Sequence, residues 1–118
     1  MLEEKHWQLV PTTLSRAFEL ARLSSPHAHL YTFYNPVTLT EMAVATGADR
    51  MVVQSYYVPE DIFPSKTAVA DYDPQKGLLL PGEGAELLYA AARLIAKLPE
   101  DPDPIVRWVL KRAEVRGA

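Results

Sequence analysis

The chain contains no cysteine. That excludes a disulfide scaffold, a thiol nucleophile, and zinc or iron–sulfur held by thiolates. It also lacks a run of roughly 20 apolar residues, the length that crosses a bilayer. The longest candidate, Gly84 to Leu98, is broken by Glu86 and Arg93. A signal peptide is not expected, because Met1 to Lys5 carries acids where a leader is basic and no apolar stretch follows. These absences point to the cytoplasm, without a membrane partner. The net charge is only −3, so the strongly basic balance of a general polyanion binder is missing too. With five glycines there is no phosphate-cradling loop, and neither a nucleophile elbow nor a paired His/Glu helix motif occurs. Nothing supplies a matched acid, base and nucleophile, so the chain reads as a non-enzyme with no cofactor and no metal.

What is present is ordinary for one globular domain: 118 residues, 48% hydrophobic and 23% charged. Ten prolines mark the joints between elements. Charge is uneven, with four basic and seven acidic residues over 1–64 and eight of each over 65–118. Arg107, Lys111, Arg112 and Arg116 give the C-terminus a basic face, which also suits the negative end of a helix dipole.

The spacing predicts a first helix over about Thr13 to Ser24, with Leu14, Phe18 and Ala21 on one stripe and a threonine cap. His29 to Tyr34 alternates and reads as a strand, followed by the turn signal Asn35-Pro36. Thr38 to Glu41 has the spacing of a capping box, and Gly47 suits a helix exit. Asp49 is placed to cap a second helix from Arg50 to about Tyr57. Met51 to Val58 is also β-branched and aromatic enough for a buried strand; the cap and glycine spacing favour helix. Val58 to Ser65 reads as irregular. Thr67 to Tyr72 and Leu78 to Leu80, joined by Asp73 to Gly77, form a β-hairpin. Leu87, Leu88, Ala91, Leu94, Ile95 and Leu98 make the widest apolar stripe, expected to bury against Leu14 and Phe18 and against the last helix. That last helix starts at Asp103 and Pro104, with Val106, Val109, Leu110 and Ala113 inward.

Ala43, Gly47 and Val53 stand at the spacing of a helix-turn-helix: a small residue for close approach, a turn glycine, and a buried aliphatic. The segment Leu39 to Leu80 thus resembles the winged helix-turn-helix superfamily, with the hairpin in the place of the wing. The resemblance implies nucleic-acid binding, with Arg50, Gln54 and Ser55 meeting base edges and Lys66 and Lys76 meeting phosphates. The expected fold is α+β: a small helical domain with a helix-turn-helix-like corner, one β-hairpin and two C-terminal helices. It is a single domain of residues 1–118, with the corner and hairpin in 1–80 and the helical pair in 81–118.

Other candidates have plainer readings. Tyr31, Phe33, Tyr34, Tyr56, Tyr57 and Tyr72 would stack single-stranded bases, but cations are sparse around them, and core packing or a protein interface accounts for them better. His27 and His29 stand two apart, a spacing open to a metal on a strand, yet no nearby acid completes a ligand set. Asp71 and Asp73 read as turn residues. The functional expectation is a non-catalytic DNA- or RNA-binding protein acting as a homodimer in transcription or replication. The alternative is a structural subunit of a nucleoprotein, CRISPR-effector or viral assembly, acting through protein contacts.

Overall fold

Along Arg50–Tyr57 the side chains alternate between two buried surroundings: Met51 and Val53 join one apolar cluster, Val52 and Tyr56 another. Successive strand residues point to opposite faces, so a strand apolar on both must lie between two layers. The computed structural model, which describes residues 4–60 and 66–115, has that three-layer form. A six-stranded antiparallel sheet is the middle layer: β1 (Gln8–Val10), β2 (His29–Asn35), β3 (Thr40–Thr46), β4 (Arg50–Tyr57), β5 (Lys66–Asp73) and β6 (Gly77–Leu79), in that spatial order. Helix α1 (Leu14–Leu23) packs on one face; α2 (Ala85–Ala96) and α3 (Pro104–Val115) pack on the other.

This corrects the expectation of a small helical domain with a helix-turn-helix-like corner. Residues 40–46 and 50–57 are strands, paired from Thr40↔Tyr57 to Thr46↔Met51. The reason is burial on both faces. Met42, Ala43, Val44, Ala45 and Thr46 are all buried, so β3 shows a continuous apolar run with no period to betray a strand. The capping-box residues serve other ends. Asn35 Oδ1 accepts from the Val37 and Thr38 amides at 3.0 and 3.3 Å, which builds the β2–β3 turn with Leu39 left-handed at φ 57°. Glu41 pairs with Arg16 instead of capping. The Gly47 amide donates to the Arg50 carbonyl at 2.8 Å, closing the β3–β4 turn. Ala43 does allow a close approach, but of α1 onto the sheet.

Elsewhere local chemistry and structure agree. Thr13 Oγ1 accepts from the Arg16 amide at 3.3 Å and caps α1. Asp73 Oδ1 accepts from the Gln75 and Lys76 amides, and Gly77 takes φ 82° in the β5–β6 hairpin. Leu87, Leu88, Ala91, Leu94 and Ile95 are buried, in one cluster with Met42, Met51 and Val53 of the sheet and Val106 and Val109 of α3. Leu14 and Phe18 are not among their partners, because α1 lies across the sheet from them. On α1 only Leu20 is fully buried, while Leu14 and Phe18 are 73% and 69% exposed. Val58–Glu60 forms a 3-10 turn; the rest of the expected irregular stretch to Ser65, and Arg116 of the basic C-terminus, lie outside the described residues.

Candidate functional site

The five residues singled out for nucleic acid do not share a surface. Arg50 opens β4 with its guanidinium engaged: Nε to Asp71 Oδ1 at 2.7 Å, and a second nitrogen to the Leu23 carbonyl at 3.2 Å. Gln54 is 1% exposed and sits under α1. Its Oε1 accepts from the Tyr56 hydroxyl at 2.7 Å, and its Nε2 donates to Glu19 and Thr67 at 3.4 Å each. Ser55 points to the opposite face, beside Met42 and Lys66 in the ladder. Lys66 and Lys76 are exposed at opposite ends of β5, roughly 25 Å apart along an eight-residue strand and its turn.

The aromatic residues also divide between the faces. Tyr31 and Phe33 stack at 6.5 Å and Tyr72 stacks on Trp108 at 3.8 Å, all on the α2–α3 side, whereas Tyr56 is buried beneath α1. The histidines do not converge. His27 lies in the loop before β2, while His29 Nδ1 meets Asp103 Oδ2 at 2.8 Å. Asp103 also accepts from the Thr46 hydroxyl at 2.8 Å, so the expected helix cap ties α3 to the sheet instead. The Asp103 carboxylate, above all through its hydrogen bond with His29, raises the His29 pKa. Burial raises the pKa of nearby Tyr31.

Sequence reasoning missed a cavity of about 770 Å³ where β6, the 80–84 loop and the start of α2 meet α3. Leu78, Leu80 and Pro81 give it apolar walls; Lys66, Glu83, Glu86 and Arg112 stand exposed at its rim. Gly84 makes the corner. It starts α2 at φ 89°, and a Cβ there would lie 3.1 Å from the Ala68 Cβ, so only glycine brings the helix start this close to β5. Tyr89, one turn into α2, lines the cavity and is 1% exposed. The signal available in the sequence was this tyrosine, a large aromatic on the side of the helix away from the Leu87 to Leu98 stripe. Comparison of the chain with protein-family models, with curated proteins and with solved structures returned no match.

Proposed function

We propose that the chain is a non-catalytic binding domain that holds a small, part-apolar ligand in the cavity between β6, α2 and α3. One observation carries this reading: Leu78, Leu80, Pro81 and the buried Tyr89 line the cavity beneath a rim of four charged side chains. Small-molecule sites ordinarily combine apolar walls with a few polar groups of this kind. The volume lies within the roughly 300–1,000 Å³ of small-molecule sites. A fragment screen by protein-detected NMR tests the reading. Hits should move the amides of Leu78, Leu80 and Tyr89, and should vanish in Ala85→Phe, which fills the space. A screen with no hit in this corner overturns it.

A second reading, assembly through protein contacts, is favoured by Leu14 and Phe18, one turn apart on the outward side of α1. The occupant we assign is a second copy, packed α1 to α1 about a two-fold axis. Ten residues of helix span only about 15 Å, so the contact falls short of the roughly 800 Å² per partner of a stable interface. Association is therefore weak and rises with concentration. Light scattering from micromolar to millimolar protein should show a climbing mass that Phe18→Ser abolishes; a constant monomer mass ends this reading.

Nucleic-acid binding, as a proposal, retains Lys66 and Lys76 as exposed cations, with Arg50 and Gln54 already engaged inside the protein.

A further inference from the structure

We infer that a hollow between α3 and the β5–β6 hairpin takes one base of a single-stranded nucleic acid, with the neighbouring phosphates on the cations of α3. The inference rests on the nucleic-acid reading above, gives it a surface, and is independent of the small-ligand cavity. The hollow measures about 270 Å³, and Leu78 and Arg112 line both it and the larger cavity, so the two lie side by side. Its other apolar lining is Val115 and the stacked pair of Tyr72 and Trp108, whose ring centres are 3.8 Å apart. The charged residues that line it are both cations, Lys111 and Arg112.

Trp108, Lys111, Arg112 and Val115 stand at i, i+3, i+4 and i+7, so one face of α3 presents all four. Arg107 lies one turn before Lys111 and carries the positive charge past the hollow. These three cations are exposed, and none has an ion pair among the described residues. Arg112 donates one nitrogen to the Leu78 carbonyl at 3.3 Å, which holds it beside the hollow and leaves its other N–H groups for an acceptor. Along the chain Tyr72 is short of cations; across space, α3 brings it two. Aromatic rings interleaved with cations suit a ligand with one flat ring and one negative charge per unit, which a nucleotide strand has and an acidic peptide lacks. Only an unpaired strand can turn a base into such a hollow. The net charge of −3 opposes binding elsewhere on the surface and keeps the attraction local.

Titration of the intact chain at low salt with a short oligothymidylate, its abasic counterpart and poly-glutamate of equal charge tests this by NMR. The thymidylate should move the indole N–H of Trp108 and the amides of Lys111 and Arg112 saturably. The indole of Trp7, only 8% exposed, should stay in place. The abasic strand should bind about tenfold more weakly. Lys111→Ala, an exposed change that keeps the melting temperature, should lower the salt slope by about 0.7. Equal binding of the abasic strand overturns the base in the hollow. Poly-glutamate matching the thymidylate overturns the nucleic-acid assignment in favour of an acidic protein partner. Movement confined to the surroundings of Lys66 and Lys76 overturns this surface and leaves nucleic-acid binding standing, whereas no movement anywhere overturns both.

Discussion

The guanidinium of Arg16 lies 3.5 Å from the centre of the Tyr56 ring, clasped between α1 and β4. Its Nε also donates to Glu41 Oε1 at 2.8 Å, where both side chains are under a fifth exposed. These contacts fix the roll of α1 on the sheet, and with it the outward direction of Leu14 and Phe18. Arg16→Ala uncovers Tyr56 and leaves a largely buried Glu41 without this partner, so it should cost about 1–3 kcal/mol in urea unfolding. Arg16→Lys should recover only part of that, since an ammonium loses the planar stack.

Leu20 and Phe18 lie two residues apart on α1 with opposite fates. Leu20 is 0% exposed among Ala43, Ala45, Val52 and Tyr56. Leu20→Ala should therefore cost about 2–5 kcal/mol, and Phe18→Ala within about 0.5 kcal/mol. Equal losses in equilibrium unfolding would show that the outward stripe is packed after all.

Gly84→Ala forces a side chain into the left-handed region and against Ala68. The backbone contribution alone is about 1–2 kcal/mol. Unfolding midpoints check it, and a neutral outcome would mean that the start of α2 relaxes away from β5.

The His29–Asp103 pair should give stability a pH dependence. The folded-state pKa of His29 is raised, so the folded chain binds this proton more tightly than the unfolded one. That stabilisation is complete below the ordinary histidine value of about 6.5 and is lost as pH rises through the higher folded value. The side chain is 69% exposed, so solvent screening keeps the effect small. The melting temperature should fall slightly across that window in the native chain and stay level in His29→Gln.

Elements with their own punctuation were legible in the sequence: α1 with Thr13, the hairpin with Asp73 and Gly77, α3 with Pro104. So was β2, expected over His29 to Tyr34 and found at His29–Asn35. The central pair β3 and β4 was not, because strands covered on both faces carry no alternation. Met42 and Ala43 are equally buried, in different clusters, and only the tertiary arrangement distinguishes them. The site was illegible for a related reason. Lys66, Gly84, Tyr89 and Arg112 come from four separate elements or loops, and none has a motif neighbour in the chain. The glycine and proline run at 81–84 does mark the helix start, but not the space beside it.

The order of the sheet has a kinetic consequence. Every strand pairs with its neighbours in the chain, so from β2 to β6 each new pairing closes a short loop. Such a sheet grows by adding hairpins, without the long-range closures that slow other β structures. The exception is β1, three residues that reach β2 only across the whole of α1. Its pairing is the last to form and the first to open, and its amides belong at the fast end of the hydrogen-exchange scale.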